Sequence, residues 1–146
     1  MSATNAFETA LLQHIFQNAD VANVGDAGGL QNSAAAGVFY ISLHTGDPGE
    51  TGAQNTSEAN YSGYARVSVA RTGSEWAVTG DTADNVNAIV FGACVSGSSS
   101  CTHFGIGSDS SGTGNLFFSG ALGATLSVSA GITPSFAAGT LDVTAQ

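Results

Sequence analysis

Apolar residues recur along this chain in two different periods. Near the amino terminus Phe7, Ala10, Leu11 and Ile15 fall on one face at helical spacing, and Leu12 and Phe16 widen that face. Asn5 is placed to cap such a helix and Glu8 follows it as in a capping box, so the spacing predicts a helix over residues 5–17. Asn18-Ala19-Asp20 ends the pattern. Residues 21–36 are rich in Gly, Asn and Ala without a sustained period, and read as a loop or arm. A helix with a loose arm either grips a neighbour or covers one end of a sheet.

From Val38 the period becomes two. Phe39, Ile41 and Leu43 alternate with Tyr40, Ser42 and His44, and Ala65, Val67 and Val69 alternate with Tyr64, Arg66 and Ser68. Shorter runs follow at Trp76–Val78, Val86–Phe91, Thr102–Ile106, Leu116–Phe118, Thr125–Val128, Ile132–Phe136 and Leu141–Val143, each bounded by Gly, Ser, Asn or Asp. About nine short strands with no helical pattern between them predict an all-β fold, an antiparallel sandwich or barrel. Pro48-Gly49 suits a type II turn, and Pro134 demotes its strand to an edge or a bulge. The chain divides into residues 1–37, helix and contact arm, and residues 38–146, the β-sandwich domain.

Composition narrows the function classes. At 146 residues and 14.4 kDa the chain fits one domain able to bury a core without metals or bridges. Eleven acidic residues face two arginines and no lysine, giving a net charge of −9. Two cations cannot neutralise a phosphate track or an anionic bilayer, so neither nucleic acid nor membrane is an expected partner. No basic leader and no long apolar run open the chain, which predicts cytoplasmic synthesis. Cys94 and Cys101 are too few for a zinc site, and are expected as buried free thiols, with a hairpin disulfide the alternative.

No catalytic constellation emerges. His14 lies on the helix flank, His44 sits beside Asp47 and Glu50 on a turn that reads as a solvated loop, and His103 has no nearby carboxylate before Asp109. No Ser lies in a nucleophile elbow, and Gly105-Ile106-Gly107 is followed by no helix that would bind an anion. Asp81 with Asp84, or Asp47 with Glu50, could form a carboxylate pair, but paired-acid catalysis depends on a spatial separation that spacing alone does not set. No catalytic residue, cofactor or metal site is therefore expected. Tyr61 and Tyr64 flank Gly63 ahead of Arg66, and Trp76 follows Arg71. These aromatics fill a core, form a sugar platform, or make a protein interface. Each arginine is expected to meet a carboxylate or an intersubunit carbonyl.

Several ordered motifs resemble a known family. They run through Phe39–Gly49 (FYISLHTGDPG), Asn60–Val67 (NYSGYARV), His103–Gly107 (HFGIG), Gly112–Leu116 (GTGNL) and Gly131–Gly139 (GITPSFAAG). The chain is similar over about residues 38–144 to small structural proteins of tailed bacteriophages, often labelled tail-fibre-like, some of which resemble head cement or decoration proteins. The resemblance implies a jelly-roll-like sandwich, a homo-oligomer (dimer or trimer) and a non-enzymatic role. It further implies a cement protein made in the host cytoplasm and bound outside the head where capsomers meet, with the major capsid protein as partner. The alternatives are a tail or baseplate component, and a carbohydrate-binding adhesion module reading a surface through Tyr61, Tyr64 or Trp76. Phe7, Leu11, Ile15, Tyr61, Tyr64 and Arg66 are the expected interface residues.

Overall fold

A computed structural model describes residues 2–145, so the terminal Met1 and Gln146 of the two predicted segments lie outside the described residues. One helix, α1 (Asn5–Gln17), precedes the strands β1 (Val38–His44), β2 (Val67–Ala70), β3 (Trp76–Thr79), β4 (Thr82–Asn85), β5 (Ile89–Val90), β6 (Ser98–Gly107), β7 (Leu116–Ser129), β8 (Ser135–Phe136) and β9 (Asp142–Thr144). The strands form sheets ordered β2-β1-β6-β7, β3-β4-β9 and β5-β8. The described pairings of β1 with β6, β6 with β7, β3 with β4 and β4 with β9 are antiparallel. An all-β fold with a single amino-terminal helix is what the period-two pattern predicts.

Two compact units share the chain. The first comprises the segment ending at Val38, Ala70–Ala88 and the segment starting at Phe136. Here α1 packs on β3 and β4. Leu12 and Phe16 are its buried residues, and the Phe16 ring lies 4.7 Å from that of Trp76. The helix has its expected bounds, but its cap lies one residue earlier than Asn5. Thr4 is the N-cap and Asn5 is already helical; the Thr4 carbonyl accepts from Phe7 and Glu8, and no side-chain cap forms. At the other end Asn18 adopts the left-handed conformation. Arg71 donates to the carbonyls of His14 and Ile15, placing a cation where the helix dipole is negative, and to Ala36 further on.

Residues 21–36 form a loop closed by local hydrogen bonds. Val21 and Leu30 exchange backbone hydrogen bonds, Asp26 caps Gly28 and Gly29, and Asn18 and Asp20 hold Ser33 and Asn32. Asn85 pins the carboxy-terminal segment to β4. Its amide donates to Asn87 and Ala137 and accepts from Thr140 and Leu141, which satisfies a side chain only 1% exposed.

The second unit comprises Phe39–Val69 and Ile89–Ser135. Its core is Phe39, Ile41 and Leu43 of β1 with Phe104 and Ile106 of β6, all buried. Ile41 faces Ile106 and Leu43 faces Phe104 across the β1–β6 ladder. Ser42 and His44, on the opposite face of β1, are buried too, so β1 is covered on both sides. Cys94 and Cys101 are free and buried.

Candidate functional site

The buried polar residues of the second unit form one connected clamp around Arg66. Arg66 is the residue of Asn60–Val67 that points inward just before β2, and it is 8% exposed. Its Nε and Nη2 donate to the two carboxylate oxygens of Glu58 at 2.7 Å each, a bidentate pair. Nη1 donates to the Asp109 carbonyl at 2.8 Å and Nη2 to the Gly112 carbonyl at 2.6 Å. The bond to Glu58 holds the guanidinium charged more firmly than usual. Tyr64 completes the cluster by donating to Glu58 Oε1 at 2.8 Å and accepting from the Leu43 N–H at 3.1 Å. Burial pushes the Tyr64 phenol well above its ordinary range, and that of Tyr61 up to about 12. Tyr61 donates to the Gly92 carbonyl, sets its ring edge-on to Tyr64, and Tyr64 stacks on Phe91.

A second limb of the clamp runs through His44 and Gln54, both fully buried. His44 Nδ1 lies 2.8 Å from the Thr56 carbonyl, so this nitrogen carries the proton, and Nε2 accepts from Ser42 Oγ at 2.8 Å. Burial lowers the imidazole pKa below 6.5, outweighing the Thr56 carbonyl and the Glu58 carboxylate, which favour the charged ring. Gln54 donates to the Tyr40 carbonyl and accepts from the Asp109 N–H. The loop after β1 and the loop between β6 and β7 are thereby fastened to one sheet face. His44 is thus not on a solvated turn with Asp47 and Glu50, as its neighbours suggested.

A serine and an oriented imidazole at 2.8 Å have the parts of an activated nucleophile. Here, however, both are sealed. A Cβ on Gly105, which faces Ser42 across the ladder, would stand 2.6 Å from His44 Nε2 and 2.7 Å from Ser42 Oγ. No substrate atom fits where a methyl group does not. Among the described residues no group of three His, Cys, Asp or Glu could hold a metal ion.

The surface of this unit is of the opposite character. β7 is the last strand of its sheet, and its odd-numbered residues from Phe117 to Ser129 are exposed. Phe117 is 51% exposed, with its ring edge-on to Phe39 at 5.9 Å. The architecture is therefore an internally locked β-body with a long, uncharged outer strand. A family described as Podophage GP4 fiber I protein gp80 matches residues 2–144. The chain belongs to this family. It is accordingly a bacteriophage virion structural protein, and the match takes in the amino-terminal helix, which the five resembling motifs left out. No curated protein matches the chain. Among the described residues no helix is long and apolar enough to cross a membrane.

The structure separates the six residues expected at an interface. Tyr61, Tyr64 and Arg66 are brought together, but inside the clamp, where Tyr61 is 3% exposed and Arg66 finds its carboxylate and carbonyls in its own chain. Phe7, Leu11 and Ile15 form one row of α1: Phe7 is exposed, Leu11 and Ile15 half-buried. That row lies beside the buried pair Leu12 and Phe16. Glu58 and Gln54 were missed by sequence reasoning. A carboxylate partner for Arg66 was foreseen, but nothing in the spacing distinguishes Glu58 from the other acids. A polar residue buried in a loop, as Gln54 is, leaves no periodic trace.

Proposed function

We propose that this protein is a non-enzymatic building block of the virion's fibre or tail apparatus. The observation that carries the reading is the family match over residues 2–144 to a podophage fibre protein. The clamp supports it: polar groups of the β-body are consumed in tying loops to the sheet, which suits a part that must hold its shape rather than turn over a substrate. A sugar platform is not favoured, because Tyr61 and Trp76 are buried at 3% and 0% exposure.

The second reading is a cement protein on the outer surface of the head, touching the major capsid protein where capsomers meet. The ordered motifs of residues 38–144 favour it by resemblance, and an acidic body would stay off nucleic acid. Quantitative mass spectrometry of purified virions separates the two. A few copies per particle, co-purifying with tails after heads and tails are separated, is the expected result. Hundreds of copies, remaining with tail-less heads and restoring heat resistance when added back to depleted ones, would replace the fibre reading with the cement one.

A further inference from the structure

His44 stands where three chain segments meet, and each brings a charged or titratable side chain to it. On β6, His103 lies directly opposite across the ladder, so the two imidazoles share one face of the sheet. On its other side His44 bridges to Glu58, whose carboxylate is already taken by Arg66 and Tyr64. Glu58 favours a charged ring, whereas the Arg66 cation and His103 oppose one. The hydrogen bonds leave no place for a second proton. Nδ1 donates to the Thr56 carbonyl, and Nε2 takes the hydroxyl proton of Ser42. A protonated ring turns Nε2 into a donor, and the hydroxyl must then send its own proton elsewhere. That space is closed: a Cβ on Gly105 would already stand 2.7 Å from Ser42 Oγ.

The segment that His44 fastens is itself under strain. Ser57 has a φ of +52°, in the left-handed region. The other non-glycine residues found there, among the described residues, are Asn18 and Asn23, a type that tolerates it. Ser57 is held in this conformation from both sides, by His44 at the Thr56 carbonyl and by Arg66 at Glu58. Outward, Thr45, Asn55 and Ser57 are exposed, so nothing in this unit covers the segment. Strain of this kind persists only while the surrounding contacts enforce it.

We propose that His44 is an acid-released latch for residues 45–57. Protonation expels the ring from behind β1, frees the Thr56 carbonyl and lets the segment swing out while β1, β6 and β7 stay paired. Glu58, still gripped by Arg66, is the fixed end of the movement. The bonds that open are those of the Thr45 N–H to the Ser57 carbonyl and of the Gln54 N–H to the Thr113 carbonyl. The latch does not rest on the fibre reading, since it belongs to the chain wherever in the virion the chain sits.

Amide hydrogen exchange of the full chain, read residue by residue by NMR and corrected for the intrinsic effect of pH, tests it. The amides of Thr45 and Gln54 should be less protected than those of the β6–β7 ladder. Their exchange should not respond to urea below the unfolding transition, because a local opening exposes little surface. With an imidazole of 6.5 in the open segment, their protection should fall by up to about tenfold between pH 7.5 and 5.5. His44→Gln keeps a donor for Thr56 but takes up no proton, and should hold that protection constant. The double variant His14→Gln/His103→Gln leaves His44 as the one histidine of the original three and should keep the fall. Protection that ignores pH in the wild type, that falls as far in His44→Gln, or that follows the β6–β7 amides at every urea concentration overturns the proposal. If His44→Gln fails to fold, the double variant decides alone: a flat response there refutes the latch.

Discussion

A neutral imidazole sealed behind β1 has consequences that can be measured. His44 is uncharged in the folded chain because burial disfavours the cation, while Nδ1 and Nε2 are both occupied by Thr56 and Ser42. Its folded pKa lies below the 6.5 of the free side chain, so between those two values the unfolded chain binds more protons than the folded one. The stability this residue contributes is complete above pH 6.5 and is lost as pH falls through that window. The urea midpoint should therefore drop between pH 7.5 and 5.5, above the range where ordinary carboxylates titrate. His44→Gln, which keeps a donor for Thr56 and an acceptor for Ser42, should flatten that slope; an equally steep slope in the variant refutes the assignment. The Arg66–Glu58 pair works differently. Desolvating two charges offsets much of their attraction, so its main effect is to fix one arrangement of the two loops, since any other strands a buried charge.

At the scale of elements, β6 shows why some of the fold was legible and some was not. Gly105 sits where the ladder packs against His44, Ser42 and Leu116, with a Cβ position 2.6, 2.7 and 2.8 Å from their respective atoms. Gly105→Ala should cost about 1–3 kcal/mol through overpacking, read as a lower urea midpoint. Gly123→Ala, in open space on β7, should change it by less than about 0.5 kcal/mol. Equal effects would refute the close-packing account. The strands built on large apolar residues, β1 and β3, were legible because burial writes itself as Phe39-Ile41-Leu43 or Trp76-Val78. β4 was not, because its inward positions are Ala83 and Asn85, the latter buried only because its amide is satisfied by four partners. Likewise β7 read as two strands, Leu116–Phe118 and Thr125–Val128. The glycines between them look like a turn, but Gly120 instead makes room for the Phe104 ring, 2.8 Å from where its Cβ would be. The helix was legible in both its bounds though not in its capping residue, whereas the clamp was not, because its bonds join loops whose positions only the fold decides.

For the whole molecule, the decisive quantity is a net charge of −9 with just two arginines, one locked onto Glu58 and the other onto the backbone at the end of α1. Neither is offered to a neighbour as a free counter-charge, so no attraction between unlike charges assists self-association. Long-range electrostatics opposes it. For two bodies of this charge about 30 Å apart, the repulsion is a few kcal/mol when the Debye length is ~30 Å, at about 0.01 M salt. It is nearly gone at about 0.15 M, where the Debye length is ~8 Å. A contact made through uncharged residues loses nothing to screening, so salt should act only on the repulsion. Self-association measured by sedimentation should tighten by at least about tenfold between those salt concentrations. A contact made through arginine–carboxylate pairs across copies would instead resist that tightening or weaken. A dissociation constant that rises with salt would therefore place the joint at charged residues.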